Sequence, residues 1–387
     1  MISQSAKAIP PSATLAINSQ AKKFKKAGFK VINFSVGQPD FPTPKNICQA
    51  AKKAIDRGFT KYTPASGIPE LKEAVVKKFK KDNSLNYKPS QIIICAGGKQ
   101  ALFNLIFALI DEGDEVVLPT PAWVSYLEQI KICGGQPVFI NAGGNFKITA
   151  DQLKKAITKK TKLLILNSPS NPTGAVYNKK ELQDLAQVIV DNDLLVISDE
   201  VYEKIVFAGQ KHVSIASLGK EIFKRTVIVN ALSKTYSMTG WRLGYAAGKE
   251  EIIAACGALQ SHTTSNPCSI SQKAALEALT GPQDSLKKMV NSFAKRRKVL
   301  VNRLKTIKGL ETSLPQGAFY LFPKIKKIEP NSVKFCQKLL KKEKVATVPG
   351  SAFLAEGYIR LSYAVSLEDI KEGARRIKKF IKEEYNG

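Results

Sequence analysis

Val229-Asn230-Ala231-Leu232-Ser233-Lys234-Thr235-Tyr236-Ser237-Met238-Thr239-Gly240-Trp241-Arg242 is the stretch on which the reading of this 387-residue chain turns. Its front, continued back to Thr226, is a short apolar run rich in β-branched residues, the pattern of a strand buried on both faces. A lysine emerges just past the strand, at the edge where α/β sheets hold ligands. Taken alone, Lys234 reads as a solvated surface charge. Ser233 before it and Arg242 eight residues after it change that reading. A hydroxyl and a guanidinium beside a strand-end amine suit a ligand carrying a phosphate and a carbonyl.

Six further runs of the same kind extend the pattern: Ile92–Ile94, Glu115–Leu118, Pro137–Ile140, Lys162–Asn167, Leu194–Asp199 and Leu243–Ala247. Segments with helical periodicity, such as Gln100–Ile110 and Lys180–Val190, separate them. Strands alternating with crossover helices predict an α/β fold with a seven-stranded, mostly parallel sheet. From about residue 283 the texture changes to long Lys-rich amphipathic helices, Ser285–Lys305 and Val333–Lys342, around short strands near Ala318–Leu321 and Tyr358–Leu361. The expected division is an N-terminal segment 1–40 packing with the small domain, a large ligand-binding domain 41–282 and a small α+β domain 283–387.

Composition narrows the function. Lys+Arg number 60 against 32 Asp+Glu, a formal charge of +28, so an anionic partner has to be considered. Nine of the 60 are Arg, the preferred reader of bases and phosphates. The excess is lysine spread along amphipathic segments, and the runs Lys22–Lys26 and Lys295–Lys298 read as polar helix faces, so no specific nucleic-acid partner is expected. The cysteines at 48, 95, 133, 256, 268 and 336 form no CxxC pattern and read as buried thiols of a reducing compartment. No apolar run approaches the ~18 residues of a membrane span, and the N-terminus has no signal-peptide pattern. A cytoplasmic location, with no membrane partner, is the expectation. No metal-ligand pattern is evident.

Three other strand ends supply what such a ligand needs. Leu195–Tyr202 delivers Asp199, which would either keep a pyridinium nitrogen protonated or cap a following helix. Leu164–Gly174 ends a strand in the rigid turn Asn171-Pro172-Thr173-Gly174. Ile94–Leu102 passes through Gly97 and Gly98 into a helix whose first N–H groups form an anion cradle. Each signal is weak alone. Together, four strand ends each provide one part of a site for pyridoxal 5'-phosphate.

These segments resemble a class I aminotransferase of fold type I, specifically the Iβ aspartate aminotransferase subgroup. The likeness runs from Pro11-Ser12-Ala13-Thr14 through Val36-Gly37-Gln38-Pro39-Asp40-Phe41 and Lys61-Tyr62-Thr63 to Tyr358-Ile359-Arg360-Leu361-Ser362. The resemblance implies that Lys234 holds the cofactor covalently and then acts as general base at the substrate Cα, for which it must be neutral. It assigns Asp199 to the pyridinium nitrogen, Asn171 and Tyr202 to the phenolic oxygen, and Trp123 to the ring face. The backbone groups of Gly98 and Lys99, with Ser233 and Arg242, would hold the phosphate, with Tyr62 reaching it from a neighbouring subunit of a homodimer. Arg360 would grip the substrate α-carboxylate, assisted by Asn171 and Gly37.

A buried second carboxylate needs a cationic partner. In relatives of the subgroup that partner is Lys99, with Ser12 and Thr14, which implies aspartate and 2-oxoglutarate as substrates. Members that also use prephenate often carry a lysine just before Pro-Ser-x-Thr, where this chain has Pro10. Aromatic or alanine aminotransferases and β-elimination lyases of the same fold share the cofactor residues and have less reason to keep Lys99. A regulator built on the fold would need an added DNA-binding domain, for which the 30 residues before Val31 are too few.

Overall fold

Apolar residues run uninterrupted through the central strands because both faces of their sheet are covered. The computed structural model describes residues 2–7, 9–10, 13–207 and 209–385. It opens with a two-residue strand β1 (Ile32–Asn33) and then builds the large sheet. The sheet comprises β2 (Ile92–Cys95), β3 (Glu115–Thr120), β4 (Gln136–Asn141), β5 (Thr161–Asn167), β6 (Leu195–Asp199), β7 (Thr226–Ala231) and β8 (Gly244–Ala247). All seven sequence-predicted strands are present with their ends within two residues. In β3, Val116 and Leu118 enter one core and Val117 the opposite one; in β5, Leu163 and Ile165 join the first and Leu164 and Leu166 the second. The period of two thus fills two cores from one strand.

The strand order is β2-β8-β7-β6-β5-β3-β4. Strands β3 to β7 pair in parallel, and β8 runs antiparallel to both β2 and β7. After placing β4 outside β3, the chain returns to lay β5 on the other side of β3, a topological switch point. The carboxyl ends of β3, β5, β6 and β7 therefore share one edge. Because β8 is antiparallel, it begins at that edge: Gly244 pairs with Cys95 at the end of β2 and with Ala231 at the end of β7. The crossover helices are fixed by local signals. Asn178 accepts the Glu181 N–H at 2.9 Å and donates its own N–H to the Glu181 carboxylate at 2.8 Å, a capping box that starts the helix Lys179–Asp191.

Toward the C-terminus, the helices Asp284–Leu304, Ser332–Glu343 and Leu367–Tyr385 surround short strands: β9 (Tyr320–Leu321), β10 (Val345–Ala346), β11 (Val348–Pro349) and β12 (Ile359–Ser362). Strand β12 lies between β11 and β9, antiparallel to both. Strand β1 pairs in parallel with β10, Ile32 opposite Val345, so the N-terminal segment is bonded to this part of the chain. Ile32 and Phe34 share a core with Phe335, Ile370 and Phe380, which Tyr202 and Phe207 also enter from beyond β6.

Two sequence readings are corrected. Within Lys295–Lys298, Arg297 is buried: its Nη1 donates to the Pro315 carbonyl at 2.6 Å and its guanidinium lies 4.2 Å from the Phe207 ring centre. It shares a helix stripe with buried Phe293, Leu300 and Val301. The six cysteines are all free, but only Cys95, Cys256 and Cys336 are buried; Cys48 and Cys133 are half-buried and Cys268 is exposed. No helix among the described residues is long and apolar enough to cross a membrane.

Candidate active site

Strand β7 ends at Ala231, and one helical turn, Leu232–Thr235, carries Ser233 and Lys234 off its end. Lys234 enters a cavity of about 930 Å³ at the carboxyl edge, where its Nζ donates to the Gly37 carbonyl at 2.6 Å. Burial first, then the charges of Arg360 and Arg242, bring its pKa down to about 8, against an opposing pull from Asp199. An unperturbed lysine stays protonated up to about pH 10.5.

Asp199, the last residue of β6, is buried among groups that hold its carboxylate in place. Tyr126 donates its hydroxyl to Oδ2 at 2.6 Å, and the Val201 N–H bonds Oδ1 at 3.2 Å. Burial lifts its pKa to about 6, while the Tyr126 and Val201 hydrogen bonds restrain the rise. Asp199 caps no helix, since turns follow it. Tyr126 was not legible as a site residue: it stands inside the helix Val124–Ile132 and reaches Asp199 only through the fold.

Beyond β2, Gly97 turns the chain into the helix Gly98–Leu109 with φ +90°, and a Cβ there would come within 2.6 Å of Arg242 Nη2. Only glycine lets this turn approach the guanidinium so closely. Arg242 precedes β8 and is delivered to the same edge by its antiparallel direction, donating to the Thr239 carbonyl at 2.9 Å. Gly98, Lys99, Ser233 and Arg242 all face the cavity. Helix N–H groups, a hydroxyl and a guanidinium make an anion site there.

On β12, Arg360 is buried over the Tyr320 ring at 4.5 Å and near the Phe353 ring at 5.0 Å. Its Nη1 donates to Asn171 Oδ1 at 3.0 Å and its Nη2 to the Ser35 carbonyl at 2.9 Å, while Nε has no partner among the described residues. Gly37 lines the same cavity beside Lys234. Tyr202 lies 2.8 Å from the Tyr320 hydroxyl. The Lys99 ammonium stands 5.0 Å from the Trp123 ring centre, its pKa lowered by burial and then by Arg242. Among the described residues neither Lys99, Arg242 nor Arg360 has a carboxylate partner.

All the sequence-predicted site residues except Tyr62, Ser12 and Thr14 line this one cavity. Tyr62 is 89% exposed and stands outside it. Ser12 lies outside the described residues, and Thr14 is described only as part of the helix Ala13–Lys26. Tyr126, Tyr320 and Ser35 line the cavity without having been anticipated.

Known proteins resemble this chain over nearly their whole length. The family profile described as aminotransferase class I and II matches residues 30–377. An aspartate aminotransferase of Bacillus sp. (strain YM-2) is 48% identical over 99% of both chains. A probable aspartate/prephenate aminotransferase of Rickettsia conorii is 47% identical over 98% of both. The crystal structure of the aspartate aminotransferase from Rhizobium meliloti superposes with a TM-score of 0.95 at 42% identity, covering 99% of each chain. Sequence, fold and the strand-end cavity agree, and the chain belongs to the class I and II aminotransferases.

Proposed function

We propose that this enzyme transfers the amino group of L-aspartate to 2-oxoglutarate, giving oxaloacetate and L-glutamate in two half-reactions at one site, with pyridoxal 5'-phosphate as cofactor. The observation that carries the reading is a cavity holding a buried amine of lowered pKa, Lys234, together with Arg360 and Lys99, two cations besides the phosphate-facing Arg242 that have no carboxylate partner among the described residues. Two unmatched cations call for a ligand with two carboxylates.

The residues present fit the cofactor. The backbone N–H groups of Gly98 and Lys99, with Ser233 and Arg242, form the anion site that would hold its phosphate, which leaves the Lys99 ammonium for the substrate. Asp199, buried and without a cation hydrogen-bonded to it, would hold the proton of the ring nitrogen. Trp123 would pack on the ring face, and Asn171 and Tyr202 would bond the phenolic oxygen. When bound, the cofactor supplies an electron sink for the substrate Cα. Arg360, braced by Asn171 and Ser35, would grip the α-carboxylate bidentately and orient the Cα–H bond toward Lys234. Lys234, whose lowered pKa enlarges its neutral fraction, would take that proton as general base.

An absorbance spectrum tests the reading directly. The cofactor band of the purified protein is expected to change on adding aspartate and to return on adding 2-oxoglutarate. A bound cofactor indifferent to aspartate would discard the dicarboxylate assignment. Lys99→Ala is expected to lower kcat/KM for aspartate by roughly tenfold or more while sparing alanine, since it removes a charge-assisted bond to the distal group. Relatives named for prephenate favour a second reading. Formation of arogenate from prephenate and glutamate decides it; Pro10, which lines the cavity, stands where the family resemblance implies a lysine in prephenate-using members.

The reading also carries a homodimer with shared sites, a large domain at 41–282 and a small one at 283–387. The unpaired state of all six cysteines supports a cytoplasmic location.

A further inference from the structure

We propose that Tyr320 is a positioning residue of this site, its hydroxyl donating to Tyr202 so that the Tyr202 proton points into the cavity, and its ring seating Arg360. The inference rests on the functional reading above, in which Tyr202 bonds the cofactor's phenolic oxygen.

Placement comes first. On the antiparallel pair β9 and β12, Tyr320 stands opposite Ser362 and Leu321 opposite Leu361. Arg360, two residues from Ser362, therefore shares a face with Tyr320. The guanidinium lies 4.5 Å from the ring centre, the geometry of a cation–π contact in a desolvated site. The far end of the same ring meets Tyr202, hydroxyl to hydroxyl, at 2.8 Å. Space for it is left by Gly37: a Cβ there would stand 2.8 Å from Tyr320 Oη, and the Gly37 carbonyl accepts the Lys234 amine. One side chain thus touches the carboxylate-binding arginine, the cofactor-facing phenol and the backbone under the lysine.

Direction follows from the charges. Both phenols are fully buried and stay protonated, so one O–H must donate to the other. The charged groups that face the pair are Arg360 and Asp199. Arg360 favours ionisation of both phenols but lies directly on the Tyr320 ring, whereas Asp199 opposes it at Tyr202 alone, which makes Tyr320 the more acidic phenol and the better donor. Tyr320 then donates to Tyr202, and Tyr202 keeps its own proton for the cavity. Hydrogen bonds in such a chain reinforce one another. Tyr320→Phe keeps the ring under Arg360 and removes only the donor; Tyr320→Leu removes both.

The test uses the purified holoenzyme, following the pH titration of the cofactor absorbance in wild type, Tyr320→Phe, Tyr202→Phe and the double variant, with succinate affinity as a second readout. Weaker donation to the phenolic oxygen favours its protonated form. Tyr320→Phe is therefore expected to raise the midpoint by about 0.5 pH unit, the size of one neutral hydrogen bond. That shift is expected to vanish in the Tyr202→Phe background, which a packing role would not produce. Succinate affinity is expected to change less than about threefold in Tyr320→Phe and to fall about tenfold in Tyr320→Leu, where the arginine loses its seat. A Tyr320→Phe midpoint equal to wild type, or a shift that persists without the Tyr202 hydroxyl, overturns the proposal. A wild-type protein that binds no cofactor overturns the functional reading first and this inference with it.

Discussion

Lys234 and Asp199 are held away from their ordinary ionisation in opposite directions, and both displacements are set by burial. The lysine has a testable energetic consequence. Its folded pKa of about 8 lies below the ordinary value of 10.5, so between these limits the unfolded chain binds more protons and stability rises with pH. Below pH 8 the full penalty for burying the ammonium is present, about 3 kcal/mol by linkage. Lys234→Met is therefore expected to stabilise the cofactor-free protein at pH 7 by about 3 kcal/mol while abolishing transamination. Urea denaturation at several pH values checks it, and the gain should shrink as pH rises above 8. Equal stability of the two proteins at pH 7 would mean that the amine is solvated. At this scale the sequence was legible where a residue sits at a strand end, as Lys234 and Asp199 do. Tyr126, on a helix, and Tyr320, on a two-residue strand, reach the site through tertiary contacts that leave no local pattern.

The seven strands of the large sheet were readable because each carries four to seven residues of pattern between helical spacers. Strands β1, β10 and β11 have two residues each, too few to show a period, whereas β9, equally short, falls within the strand expected near Ala318–Leu321. Arg297 shows the converse: it looks like part of a charged run until its helical spacing from Phe293, Leu300 and Val301 is counted. The turn from β2 into the helix Gly98–Leu109 was recognised as an anion cradle from its glycines, but the reason for Gly97 is spatial. Its backbone, φ +90° and ψ 162°, belongs to a region almost closed to other residues, and its missing Cβ leaves room for Arg242. Gly97→Ala is expected to cost about 1–3 kcal/mol of stability. Because the side chain also displaces Arg242 from the anion site, pyridoxal 5'-phosphate affinity is expected to fall by about tenfold or more. Fluorescence titration of the cofactor-free variant measures that loss. A variant destabilised but binding the cofactor normally would separate the turn from the anion site.

At the scale of the whole molecule, Tyr62 is the residue that one chain does not bring to its own cavity. It is 89% exposed, outside a cavity that collects the other cofactor-facing side chains with described positions. Phe107 and Ile132, on the helices that begin at Gly98 and Val124, are likewise about half exposed. A twofold dimer places the same patch of each chain against its copy, so a residue displaced from its own site is free to complete the other. Paired variants turn this into a discriminating prediction. In a purified hybrid of a Tyr62→Ala chain with a Lys234→Ala chain, crossing over puts both lesions in one site and leaves the other intact. The hybrid is then expected to show about half the wild-type activity, with wild-type cofactor affinity at its active site. If Tyr62 serves its own chain, each site carries one lesion: one lacks the general base and the other binds the phosphate weakly. Activity at limiting cofactor would then stay at the level of the Tyr62→Ala protein or below, and the shared-site dimer would be excluded.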